Sequence, residues 1–378
     1  MKIALLRQRV TAIGGAETTL GYLVRGLTAA GHAVTVYGID REPDAQAALG
    51  PGIRYVRVPV WGGKTLRLLT FALHSRRLLA AAAPQVSFSL ERIFDPQVYR
   101  AGDGCHREWL ARRAPYLGLA AQAAQHLSPF HRTMLLMERR LFAFPGLKLV
   151  IANSKQVRAE VIRHYGLAPE KVRVIYNGLD RKRFHPLAEE SQAELRRRLG
   201  VPENRKIILF VGSGFARKGL IYLLQAFSNL KDKHSQLWVV GKGQIKPYQR
   251  AAANLGVADR VKFRGPVPET APYYQAATVV ALPTLYDPCS NVVLEALACG
   301  TPVVTTAANG AAEFLSPGEN GAVIPQPDDL AGLSEALALF LDRGRDLETR
   351  QSATAAVAGL SWEATVAQTL QVLEEATH

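Results

Sequence analysis

Two doubly wound α/β domains are what this sequence predicts, on three observations. The chain has 378 residues, long for one hydrophobic core and natural for two. Short runs rich in Val, Ile and Leu alternate with amphipathic helical runs, the pattern of sheets covered by helices on both faces. Polar or glycine-rich turns follow several strands at once, and such turns are where α/β sheets keep ligands.

Lys2 to Leu6 reads as the first strand. Arg7 to Ile13 is a loop, and Gly14-Gly15-Ala16-Glu17 opens a helix through Leu20, Leu23, Leu27 and Ala30 that stops at Gly31. The two glycines let the backbone approach a ligand at that helix start, and they would serve a tight turn equally well. Ala33 to Tyr37 is the second strand. Neither the glycine fingerprint nor the ribose-binding acid of a dinucleotide fold stands in the right place, which argues against a dehydrogenase. Ile53 to Val58 is a strand, Leu66 to Ala82 a helix with Arg67, Arg76 and Arg77 on a basic side, and Val86 to Leu90 the next strand. Asp95 to His106 reads as one polar, glycine-rich turn, with Asp103 between Gly102 and Gly104, where little shields its carboxylate. Residues 107–147 interleave Arg with large apolar side chains, which suits a membrane interface or, equally, core helices with solvated Arg faces. Leu149 to Ala152 is a strand, Asn153-Ser154 a cap, and Val172 to Gly178 closes the first domain.

Asp180 to Arg205 is polar and partly helical and reads as a linker. The second domain starts with the strand Lys206 to Val211, and the loop Gly212-Ser213-Gly214-Phe215-Ala216-Arg217-Lys218-Gly219 follows directly. Two cations near a helix start have the sign a diphosphate needs. Gln236 to Val240 is a strand ending in Gly241-Lys242-Gly243, and Val261 to Val267 leads to a helix over Ala271 to Ala277. Thr278 to Leu282 is a strand, Asn291 to Cys299 a short buried helix and Val303 to Thr306 the next strand. Ser290 or Asn291 suits the N-cap of that helix, and Gly300 with Pro302 stops it. Asp287 lies in the loop before the helix and Glu295 a turn inside it, so both carboxylates can reach one ligand. Phosphate at the helix start and hydroxyls held by flanking acids describe a nucleotide-sugar site. Asp328 to Phe340 and Trp362 to Glu375 are the closing helices.

At Asp287 to Glu295 the sequence resembles the acidic-x7-acidic signature of retaining GT-B glycosyltransferases of the family 4 type. Val211-Gly212-Ser213-Gly214-Phe215-Ala216-Arg217-Lys218-Gly219 and Tyr99-Arg100-Ala101-Gly102-Asp103 resemble runs of the bacterial lipopolysaccharide core α-1,3-glucosyltransferases within it. The resemblance covers essentially the whole chain. It implies a GT-B fold, with two Rossmann-like domains facing across a cleft. Residues 1–180 form the acceptor domain, with helix 361–378 packing back on it; 181–205 form the linker and 206–360 the donor domain. It places Arg217 and Lys218 on the donor diphosphate and Glu295 on the ribose. Asp287, one methylene shorter than the family's usual Glu, falls on the donor sugar. Asp103 faces sugar and acceptor, with His106 as its competitor. Gly14, Gly15, Glu17, Gly212, Ser290, Asn291 and Val292 join the donor contacts, and the backbone at Pro266 and Val267 meets the base edge. The implied reaction moves a hexose, glucose above all, from a UDP-sugar to a heptose hydroxyl of the lipopolysaccharide core. The alternatives are a GDP-mannose donor, another glycolipid or polysaccharide acceptor, and a non-catalytic nucleotide-sugar binder.

Bulk properties set the remaining expectations. Residues 1–180 carry 25 Lys+Arg against 12 Asp+Glu, a net +13, out of +14 for the chain. That asymmetry points to an anionic membrane surface or a phosphorylated acceptor beside the first domain. Nucleic acid is not expected, because no aromatic-basic stacking motif is present. No apolar run reaches the ~20 residues of a membrane span, and the N-terminus reads as a strand and not a signal peptide. Three cysteines give neither a disulfide framework nor metal spacing. The expected setting is the cytoplasm, peripheral on the inner face of the membrane, with no cofactor and no metal.

Overall fold

The computed structural model describes residues 1–10, 15–50, 52–202 and 204–377; the side chains of residues 15–17 lie outside that description. The chain divides into two units, Met1–Gly178 with Ser361–His378, and Leu179–Leu360. Each holds a parallel sheet.

In the first unit the strands are β1 (Lys2–Leu6), β2 (Ala33–Gly38), β3 (Arg54–Arg57), β4 (Val86–Ser89), β5 (Val98–Ala101), β6 (Leu149–Ala152) and β7 (Val172–Val174). They pair in the order β3-β2-β1-β4-β5-β6-β7. The order reverses between β1 and β4, and in such sheets a ligand crevice opens beyond the carboxyl ends at that point. β1 is buried along nearly its whole length, as a central parallel strand must be. The helix Trp362–Glu375 belongs to this unit: Trp362 stacks on Tyr22 at 4.4 Å, Thr365 Oγ1 donates to Tyr176 O at 3.0 Å, and Val372 and Leu373 enter the core with Leu5, Leu23 and Val36.

In the second unit the strands are β8 (Ile207–Val211), β9 (Gln236–Val240), β10 (Val261–Gly265), β11 (Val279–Leu282), β12 (Val303–Thr306) and β13 (Gly321–Ile324). Their order is β10-β9-β8-β11-β12-β13, with the reversal between β8 and β11. All five residues of β8 are buried, which explains why it reads as an unbroken apolar run.

Three differences from the sequence reading have physical causes. The polar turn expected over residues 95–106 contains β5, a fully buried strand between β4 and β6. Arg100 hides it in sequence: its guanidinium is buried and donates to Asn177 Oδ1 at 2.8 Å and Ile175 O at 3.3 Å. The expected linker, 181–205, is part of the second unit. Its helix Glu189–Arg198 docks by hydrogen bonds, Gln192 Nε2 to Gln275 O at 2.6 Å and Arg196 Nη1 to Ala276 O at 2.5 Å. Helices Glu42–Leu49 and Leu347–Ala356 and strand β13 also form where the sequence shows little amphipathic contrast.

Candidate active site

In the second unit the candidate residues gather at the sheet's reversal. β8 runs into a loop that must turn sharply above the sheet. Gly212 has φ +145°, and a Cβ there would come within 2.5 Å of the Lys218 side chain. Gly219 has φ +75°, and a Cβ there would lie 1.8 Å from Pro283 O. The first glycine gives Lys218 its path, and the second lets the loop close on the end of β11. Leu285 N and Thr284 Oγ1 both donate to Arg217 O, at 2.9 and 3.1 Å, and tie the cationic pair to the strand beside it.

The loop after β11 brings Asp287 to those cations. Its carboxylate Oδ2 accepts from Lys218 Nζ at 3.1 Å and from Arg217 Nη1 at 3.3 Å, while Arg217 Nη1 also donates to Tyr286 O at 2.7 Å. Lys218 and Asp287 are each only 7% exposed. Burial pushes the Asp287 carboxyl up, but Lys218 and Arg217 outweigh it and hold the group below the ordinary aspartate value. Two cations against one carboxylate leave a surplus positive charge at the sheet reversal. The helix Asn291–Ala298 starts beside it, and helix starts present N–H groups with no partner inside the helix.

Ser290 occupies the N-cap position with extended backbone, yet its hydroxyl makes no cap bond. Asn309 braces the same segment: its Oδ1 accepts from Ser290 N at 3.2 Å and, as the cap of its own short helix Gly310–Phe314, from Ala311 N at 3.1 Å. The Ser290 hydroxyl is buried with no hydrogen-bond partner among the described residues. Asn291 and Val292 form the first turn of the helix, both half-buried. Glu295 follows one turn on, and Tyr274 Oη donates to its Oε2 at 2.8 Å. Burial pushes the Glu295 carboxyl up to about 7, opposed by the Tyr274 hydrogen bond and by Arg183 and Lys218. Lys218 therefore acts on both carboxylates. Pro266 and Val267 lie farther out, just past β10 at the sheet edge, with Pro266 exposed and Val267 half-buried.

The first unit is arranged differently. Asp103 follows β5 with its side chain 54% exposed, and Arg7 Nη1 is 3.8 Å from it. Arg7 also pairs with Glu91 at 3.1 Å. Arg7 follows β1 and Glu91 follows β4, so this cluster marks the reversal of the first sheet. His106, the competitor of Asp103, is buried; its Nε2 lies 3.0 Å from His131 Nδ1, and Phe130 meets its ring edge-on at 6.2 Å. Burial, with Arg92 beside it, lowers its pKa to about 4, which favours the neutral ring at pH 7. Gly14 lies outside the described residues; Gly15 opens the helix Gly15–Ala29, and the side chain of Glu17 is outside the description.

Tyr274, Asn309, Arg7 and Glu91 are the site-lining residues that sequence reasoning missed. Tyr274 looks like an ordinary core aromatic, and Asn309 lies 19 positions from the Ser290 amide that donates to it. Among the described residues no group of three or more His, Cys, Asp and Glu could hold a metal, no helix is long and apolar enough to cross a membrane, and all three cysteines are free and buried.

Comparisons with known proteins agree with this fold. The family Glycosyl transferases group 1 matches residues 205–343, and Glycosyltransferase Family 4 matches residues 13–183. A D-inositol 3-phosphate glycosyltransferase of Streptomyces scabiei is 35% identical over 61% of this chain and 54% of its own length. The lipopolysaccharide glucosyltransferase WaaG of Escherichia coli is 26% identical over 89% of this chain and 88% of its own. A crystal structure of WaaG, a glycosyltransferase involved in lipopolysaccharide biosynthesis, superposes with a TM-score of 0.83 at 22% identity, covering 98% of this chain and 99% of that one. Anabaena Alr3699/HepE in complex with UDP-glucose superposes at 0.75 and 22% identity, covering 99% of this chain and all of that one. The chain spans about half the length of the curated relatives it matches first, 54%, 48% and 52%.

Proposed function

Since this chain belongs to the GT-B glycosyltransferases of the group 1 and family 4 type, we propose that it moves glucose from UDP-glucose to a sugar hydroxyl of a lipopolysaccharide-core acceptor, with retention. One observation carries the reading: Lys218 and Arg217 converge on Asp287 beside a helix start at the reversal of the second sheet, with Glu295 one turn on. A diphosphate needs the first feature, and a ribose diol needs the second. The full-length likeness to a lipopolysaccharide glucosyltransferase supports the acceptor class, and the fold shared with a UDP-glucose-bound protein supports the donor.

In this reading the second domain, 206–360, takes the donor, and the first, 1–180 with 361–378, takes the acceptor. The bond between the anomeric carbon and the diphosphate oxygen breaks, and the acceptor oxygen bonds that carbon on the same face. The leaving diphosphate accepts the acceptor's proton. Arg217, Lys218 and the N–H groups near Asn291 and Val292 stabilise the charge that grows on it, where fixed donors act most strongly. Asp287 and Asp103 orient the sugar and the acceptor, Gly212 and Ser290 line the diphosphate, and Pro266 and Val267 meet the base. No metal is needed, because those cations meet the charge. The acceptor sits on a membrane, and the surplus positive charge of residues 1–180 holds the enzyme there, on the cytoplasmic face.

A second reading is favoured by the relatives named D-inositol 3-phosphate glycosyltransferase and by the same charge surplus: the acceptor carries a phosphate. The test is a panel of UDP- and GDP-sugars offered with heptose-containing core saccharide or with inositol phosphate. Nucleoside diphosphate release identifies donor and acceptor, and the product's anomeric coupling reports retention. Release from none of the donors with any acceptor would sink the proposal.

A further inference from the structure

Glu295 sits in a hydrogen-bonded chain that the reaction as described does not use. Tyr274 lies on the helix Ala271–Ala276 and is fully buried. Its phenol donates to Glu295 Oε2 at 2.8 Å. The phenol has one proton, and the bond given to Glu295 uses it. Full burial holds the ring, with Phe184 packed on it at 6.1 Å. Glu295 Oε1 receives no hydrogen bond from the described residues.

We propose that Tyr274 is the positioning residue for nucleotide recognition: it pins one carboxylate oxygen of Glu295 and leaves the other to accept from the ribose 2′- and 3′-hydroxyls. The inference rests on the reading of Glu295 as the ribose-binding acid. A free glutamate has three rotatable bonds, and its preferred rotamers point elsewhere as readily as at a ligand. A rigid donor removes that freedom before the ligand arrives. The same bond favours the ionised carboxyl. Burial works against the charged form, and the groups that face Glu295 are Tyr274, Arg183, Lys218 and the Cys299 thiol. Of these the phenol acts most strongly after burial, and it favours the carboxylate that a diol requires.

The experiment is calorimetric binding of UDP, GDP, ADP and CDP and of their 2′-deoxy forms to the whole chain, from pH 5.5 to 8.5. The wild type should prefer the ribose form of its best nucleotide by about tenfold or more, with binding falling off below a midpoint near pH 7. Tyr274→Phe, which keeps the ring and its packing, should shrink that preference to within about threefold and move the acid midpoint upward. Glu295→Ala should abolish both the preference and the midpoint. If Glu295→Ala loses the preference and Tyr274→Phe keeps it, the positioning role is wrong and the reading of Glu295 stands. If Glu295→Ala keeps the preference, or no nucleotide binds the wild type, the ribose reading falls and takes the proposal with it. Equal weakening of ribose and deoxyribose forms by Tyr274→Phe would mean a disturbed fold, and it also overturns the proposal.

Discussion

The two sheet reversals of this molecule are furnished in opposite ways. At the second, Lys218 and Asp287 are buried, hydrogen-bonded to each other and braced by a loop whose glycines leave no slack. At the first, Asp103 stands more than half exposed with one arginine 3.8 Å away. A buried ion cluster is rigid and expensive to disturb, whereas an exposed carboxylate is cheap to repoint. If the proposed roles hold, the contrast separates a fixed donor site from an adjustable acceptor site. A diphosphate is the same in every donor of a class and rewards a prebuilt site. Acceptors vary, and an exposed residue on a loop can follow them.

The largest expected effect comes from breaking the buried side. Lys218→Ala should cut turnover by on the order of 10²-fold or more. It should also destabilise the second unit by about 3 kcal/mol, because Asp287 loses its buried cation. Steady-state rates and denaturant unfolding measure the two losses together. Asp103→Ala, on the exposed side, should slow transfer by about tenfold and leave unfolding unchanged. A destabilised Asp103 variant, or a Lys218 variant as stable as the wild type, would erase the contrast.

Next in size is a difference in pH response. Asp287 is held below its unfolded value, so its pairing stabilises above the ordinary aspartate range and is lost as pH falls through the folded value. Glu295 is raised to about 7, so its ionisation costs stability increasingly as pH climbs from the ordinary glutamate value toward 7. Glu295→Gln removes that cost. Relative to wild type its melting temperature should rise between pH 5 and pH 8, whereas Asp287→Asn should fall relative to wild type over the range just above its own titration. Parallel melting curves for both variants would contradict the assignment.

The smallest effect concerns the basic surface of the first unit. Arg112 is partly neutralised by Glu108 at 2.7 Å and Arg113 stacks over Trp109 at 5.7 Å, while Arg107, Arg132 and Arg139 are exposed. Leu119 and Leu127 stand 85% and 71% exposed on the helix Leu119–Leu127. Changing Arg107, Arg132 and Arg139 together to Gln should weaken binding to anionic vesicles by roughly 1 kcal/mol per charge that reaches the surface, with the deficit fading at high salt. Co-sedimentation with anionic and neutral vesicles measures it; equal binding to both would remove the membrane from the account.

How far the sequence could be read follows the same division. In the second half the strand, glycine loop, cations, acids and helix lie within a few residues of one another, and local pattern suffices. Cases that failed are cases where one residue answers to another far along the chain. Arg100 sits inside β5 because Asn177, 77 positions away, satisfies it. Residues 189–198 are charged enough to look like a tether, yet they dock because carbonyls at Gln275 and Ala276 accept their side chains. Ser290 stands at the cap position as expected, but its amide is held by Asn309, 19 positions away, which no local pattern shows. Asp103 was legible as a bare carboxylate between glycines, but its link through Arg7 to Glu91 was not.

The helix Trp362–Glu375 has a consequence for synthesis. Most of the first unit, through Gly178, leaves the ribosome before the second unit, yet its core includes Val372 and Leu373, which follow nearly 200 residues later. The second unit, Leu179–Leu360, is one uninterrupted segment and has all its parts as soon as its own last residue emerges. The half of the protein that is translated first is therefore completed last. Until then Tyr22 waits for its stacking partner and Leu5, Leu23 and Val36 expose an open seam. A nascent chain arrested before Ser361 would carry a finished second unit and an unfinished first one, with its apolar seam available to a chaperone.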